Sequence, residues 1–87
     1  MVIERFKNRD AEAVYRRFRE RGRMLPDGLR YIAIWVESNQ ERCFQLMESD
    51  DLCLLDEWIA HWQDLVEFEV IPVVSSGETA KTITQML

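Results

Sequence analysis

Apolar positions in this chain follow two rhythms, a period of two in four stretches and a helical period in two others. "MVIERF" alternates and predicts a short strand. Asn8 or Asp10 can cap the segment behind it, where Ala11, Val14, Tyr15, Phe18 and Gly22 recur at helical spacing, so a helix is expected over residues 10–22. "LPDG" is turn chemistry, and "LRYIAIWVE" is dense in β-branched and aromatic residues, which predicts a second strand. "SNQE" is a polar break of hairpin length before a third strand, "RCFQLME". "SDD" offers N-caps for a second helix marked by Leu54, Leu55, Trp58, Ile59, Trp62 and Leu65. "VEFEVIPVV" closes the set as a fourth strand.

The order β-α-β-β-α-β with short links predicts an α+β, ferredoxin-like domain over residues 1–74. Right-handed crossovers put two helices on one face of a four-stranded antiparallel sheet, strand order 4-1-3-2. The other face is left open. In the fourth strand Val66, Phe68 and Val70 belong under the helices, which sends Glu67, Glu69 and Ile71 to the open face. Pro72 suits the edge position this strand takes. The same parity assigns Ile32, Ile34 and Val36 to the helices, and Tyr31, Ala33, Trp35 and Glu37 to the open side. It assigns Phe44 and Leu46 inward, with Cys43, Gln45 and Met47 outward. Met1 and Ile3 are expected inward, with Val2, Glu4 and Phe6 outward. An open face carrying Phe6, Tyr31, Trp35 and Met47 calls for a cover. A second copy laid sheet to sheet supplies it, giving a homodimeric α/β barrel.

"MVIERFKN", "RRFRERGRMLPDGLRY", "RCFQLMESDD" and "W…W.DLVEFEVIPVVSS" together resemble a family of short bacterial domains known only as a domain of unknown function. The resemblance covers residues 1–76. It implies membership of the ferredoxin-like dimeric α/β-barrel superfamily, which also holds cofactor-free monooxygenases, muconolactone isomerases and stress-responsive barrel proteins. It implies the fold and brings no catalytic residue with it.

Composition narrows the function classes. The net charge is −5, yet residues 1–23 hold eight basic residues against four acidic, and residues 24–87 hold three against twelve. The halves are expected to attract each other. The arginine run "YRRFRERGR" occupies the outward arc of the first helix beside an acidic second helix, so ion pairing is expected and nucleic-acid binding is not. No membrane partner is expected, since no stretch approaches the roughly 20 apolar residues of a membrane span. Cys43 and Cys53 lack metal-ligand spacing and read as reduced thiols; no export signal is present, so the cytoplasm is the expected compartment.

Candidate chemistry centres on Glu4, Glu67 and Glu69. On paired first and fourth strands these carboxylates are expected to crowd, which raises the pKa of at least one and suits it to proton transfer. The competing account has them solvated or paired with arginines at the barrel mouth. Phe6, Tyr31, Trp35, Gln45 and Met47 are the expected ligand-binding residues on the open face, or else dimer core. His61, the only histidine, falls on the solvent side of its helix. No metal site and no cofactor are expected. The leading functional reading is a dimeric barrel that binds a small, partly apolar molecule. The alternatives are a cofactor-free monooxygenase- or isomerase-like enzyme using a buried glutamate, and a structural or regulatory partner protein with a solid interior. Ser75-x-x-Glu78 has capping-box spacing and opens a tail, residues 75–87, in which Ala80, Ile83 and Leu87 predict a short helix.

Overall fold

The computed structural model describes all 87 residues. In chain order it contains β1 (Val2–Phe6), α1 (Ala11–Arg21), β2 (Leu29–Val36), β3 (Arg42–Ser49), α2 (Leu52–Ala60), β4 (Val66–Val70) and α3 (Ser76–Met86), with a 3-10 turn at Lys7–Arg9. The strands form one antiparallel sheet in the order β2-β3-β1-β4, which from the other edge reads 4-1-3-2. The fold is α+β.

Local chemistry sets the element ends. Asp10, rather than Asn8, caps α1: its carboxylate accepts the Ala13 amide at 3.0 Å. Asn8 and Arg9 adopt left-handed backbone (φ 57° and 55°), which lets β1 fold back into α1 within four residues. Asp51 caps α2 through the Cys53 amide at 2.9 Å, and Ser75 caps α3 through the Glu78 amide at 3.1 Å. Gly28 has φ +92°, and a Cβ there would stand 2.9 Å from Leu54 Cδ1, so the turn into β2 requires glycine. The second helix is shorter than its apolar pattern, which runs on to Leu65. After Ala60 the chain enters a turn, and Trp62 stays buried from that turn.

Both α1 and α2 pack on one face of the sheet. Leu55 and Trp58 of α2, together with Trp62, enclose Val2 and Leu29, while Ala11 and Val14 of α1 lie against the Phe6, Cys43 and Val66 group. The register then fixes every strand's parity. One row across the covered face runs Val36–Cys43–Glu4–Phe68, and the next runs Ile34–Gln45–Val2–Val70.

Three parities read from the sequence are corrected. In β1, Val2, Glu4 and Phe6 are buried beneath the helices and Ile3 faces the open side. Val2 and Phe6 bury more apolar surface than Ile3 alone, and they carry Glu4 in between them. In β3, Cys43 and Gln45 are buried and Met47 packs on the core, so Phe44 and Leu46 face outward. In β2, the register slips between Tyr31 and Ala33. Such a bulge adds one residue and switches the faces on either side of it. Tyr31 therefore lies on the covered side with Ile34 and Val36, while Ile32 is 52% exposed. The sequence reading holds for β4, where Glu67 and Glu69 are exposed, and for Ala33 and Trp35.

Residues 71–87 are exposed throughout, α3 included. The molecule measures 50 × 31 × 17 Å, two layers thick at its thinnest.

Candidate functional site

The covered face is not filled. Between the sheet and the helices lies a cavity of about 150 Å³, walled mainly by aromatic and aliphatic side chains. Trp58, Trp62, Phe6 and Val66 form its buried walls, and the half-exposed Tyr15 and Phe18 of α1 stand at its outer side. A cavity of about this size accepts a single benzene ring when its lining is apolar. Two tryptophans are held rigidly here, since the indole Nε1 of Trp58 and of Trp62 both donate to the Arg23 carbonyl, at 3.0 and 3.2 Å. Their polar edges are thereby satisfied, and only their ring surfaces face the cavity.

Three buried polar side chains line the same space, all from the two central strands. Glu4 is 8% exposed, Cys43 2% and Gln45 3%. Burial pushes the Glu4 carboxyl up from 4.5 to about 7, against a smaller opposing effect of the neighbouring Cys43 thiol. Burial, with the nearby Glu4 charge, pushes the Cys43 thiol up to about 12. A thiol held this high is a poor nucleophile near neutrality. The Tyr15 phenol is also raised, chiefly by burial and then by Cys43 and Glu4. Gln45 is the exceptional member: its buried Nε2 has no hydrogen-bond partner. An unsatisfied buried donor costs about 1–3 kcal/mol, so such groups are rare in the interior of a stable fold.

Arg23 is the one cationic residue of the lining. Its guanidinium lies 3.8 Å from the Tyr31 ring centre and 5.1 Å from that of Phe18. It belongs to none of the molecule's ion pairs. It acts at a distance on the Cys43 thiol, in the direction that favours the thiolate.

The sequence-derived residues are thus divided between two faces. Glu4 lies in the cavity, whereas Glu67 and Glu69 project from the opposite side of the sheet, across from Arg5 and Ile3. The expected carboxylate cluster does not form, because Glu4 differs in parity from the other two. Phe6 and Gln45 line the cavity, Tyr31 supports Arg23, and Met47 packs on the core beside it. Trp35 lies on the open face, 54% exposed, away from the cavity. Cys43, Arg23 and the tryptophan pair were not singled out as site residues from sequence. The signal for a buried carboxylate was present nonetheless: Glu4 sits two residues from both Val2 and Phe6, hence on their face.

No group of three or more His, Cys, Asp or Glu side chains is arranged to hold a metal ion, and no helix is long and apolar enough to cross a membrane. Residues 1–87 match the family described as Domain of unknown function (DUF3303). No curated protein and no solved structure matches the chain.

Proposed function

The chain belongs to that family, and from its own geometry we propose that it is a small-molecule-binding domain whose ligand occupies the cavity between helices and sheet. The observation that carries this reading is the unpartnered Gln45 Nε2 in the lining of an otherwise apolar cavity. A packed core gains nothing from such a donor, while a binding site uses it to orient its ligand. Toluene tests the space itself. Its addition should shift the indole N–H resonances of Trp58 and Trp62 in NMR spectra, saturably and without disturbing Trp35. Unmoved indole signals at saturating toluene would overturn the cavity reading.

We further propose that the open face is covered by a second copy, so that the working unit is a ferredoxin-like dimeric α/β barrel in the cytoplasm. Support comes from Trp35, Phe44, Ile3 and Leu46, which form an apolar patch that no element of the chain covers. Both cysteines are free, which suits a reducing compartment. Light scattering should report twice the 10.4 kDa chain mass, and Trp35→Arg should return it to one. A monomeric wild type at micromolar concentration would remove the barrel and leave the cavity intact.

Glu4 favours one extension of the first reading, cofactor-free proton transfer to or from the bound molecule. A carboxyl near pKa 7 exchanges protons readily at neutral pH. A co-purifying ligand incubated in D₂O should gain deuterium with wild-type protein and not with Glu4→Gln. Equal incorporation with both would end that extension.

A further inference from the structure

We infer that the cavity selects a monocyclic aromatic carboxylate bearing an oxygen acceptor at the far end of its ring. In this arrangement the ring oxygen accepts from Gln45 and Glu4, and the carboxylate meets Arg23. The inference rests on the cavity reading above and gives it a ligand class.

Three features of the lining converge on that class. The first is shape. Trp58, Trp62, Phe6 and the α1 aromatics present ring surfaces around about 150 Å³, room for one aromatic ring and small substituents. The second is the polar end. Glu4 and Cys43 are cross-strand partners on the central strands, and Gln45 follows Cys43 on the same face. The Cys43 thiol lies beside Glu4 as its cross-strand neighbour. The Glu4 carboxyl and the unpartnered Gln45 amide line the same wall of the cavity, and they are the two donors assigned here to one incoming oxygen. The third is the cationic end. Arg23 has aromatic rings on its faces and no carboxylate within ion-pair distance. A guanidinium stacked in this way keeps its in-plane N–H groups for a planar carboxylate. Arg23 lines the same cavity as the donor pair.

The groups facing Glu4 behave differently with pH. Burial pushes the Cys43 thiol up to about 12 and raises the Tyr15 phenol above its ordinary value of 10.0. Glu4 is therefore the group that changes state near neutrality, and its ionisation replaces a donor by a negative charge facing the ligand oxygen.

Four probes form a square that separates the contributions: toluene, phenol, 4-methylbenzoate and 4-hydroxybenzoate. Each is titrated against the full chain, with the Trp58 and Trp62 indole resonances as readout. Replacing methyl by hydroxyl should tighten binding about tenfold, the order of one hydrogen bond that satisfies a buried donor. Adding the carboxylate should tighten it by about the same factor. Gln45→Leu should reduce the hydroxyl preference and keep the carboxylate preference, and Arg23→Leu should cancel the carboxylate preference and keep that for hydroxyl. Wild-type affinity for 4-hydroxybenzoate should fall between about pH 6 and about pH 8, and Glu4→Gln should flatten that dependence. Should toluene bind while hydroxyl and carboxylate add nothing, the ligand class is wrong and the cavity stands. If none of the four binds, both readings fall together. Should Gln45→Leu or Arg23→Leu lose its fold, the wild-type square and its pH dependence still decide.

Discussion

The two faces of the sheet carry similar residues and put them to opposite uses. On the covered face, Glu4 stands between Val2 and Phe6 with tryptophans above it, and burial raises its carboxyl to about 7. On the open face, Glu67 and Glu69 stand across from Arg5 and Ile3 and are exposed. The tryptophans divide in the same way. Trp58 is 3% exposed with its indole N–H satisfied, and Trp35 is 54% exposed on the far side. Residue type thus decides little in this molecule; the strand parity of each residue decides its environment. The covered face encloses its polar groups, and the open face leaves its own to solvent.

The tryptophans give the largest expected contrast. Trp58→Ala should cost about 3–5 kcal/mol in urea denaturation, a large part of the stability of so small a domain. Trp35→Ala should cost under about 1 kcal/mol in subunit folding while reducing the light-scattering mass. Equal folding penalties would erase the distinction between the faces.

The glutamates come next. Below pH 4.5 Glu4 is neutral in both the folded and unfolded chain. Between 4.5 and about 7 the unfolded chain releases its proton and the folded chain retains it, so stability falls as pH rises and then levels off. The difference corresponds to on the order of 3 kcal/mol. Glu4→Gln should therefore be more stable than wild type at about pH 8 by that order, with no such advantage at about pH 4. Glu67→Gln and Glu69→Gln should each stay within about 0.5 kcal/mol at both. A gain from the open-face variants equal to that of Glu4→Gln would contradict the account.

The strands and helices were largely legible because their periodicities are strong and Asp10, Asp51 and Ser75 cap as their chemistry predicts. The site was legible only in part. Glu4, Phe6 and Gln45 are visible as candidates, yet their face depends on parity, and β1 and β3 carry apolar residues on both sides. Phe44 and Leu46 outweigh Cys43 and Met47 in hydrophobic size, so size alone points β3 the wrong way. The bulge at Ile32 has no glycine to announce it, and it reverses the first half of β2. Arg23 became part of the site through a loop whose carbonyl holds two distant tryptophans, a tertiary contact that no local pattern encodes.

A smaller effect is expected outside both faces. Arg17 grips Asp64 with two bonds of 2.7 Å and donates to the His61 carbonyl at 3.0 Å, tying α1 to the turn after α2. This pairing lowers the Asp64 carboxyl to about 2. Its contribution is present above pH 3.8 and is lost as pH falls through about 2. Asp64→Asn should lower the melting temperature slightly at neutral pH, and the deficit should vanish in strong acid. Because the pair is solvent-screened, the loss should be the smallest of those above.

Carboxyl-carbon NMR titration of the wild-type chain, with Glu4 assigned through Glu4→Gln, tests the central claim most directly. A Glu4 midpoint near 7 is the predicted result, and it would establish that the covered face encloses an acid beside the cavity. A Glu4 midpoint near 4.5 would mean that water reaches this carboxyl freely, and the enclosed site described above would not exist.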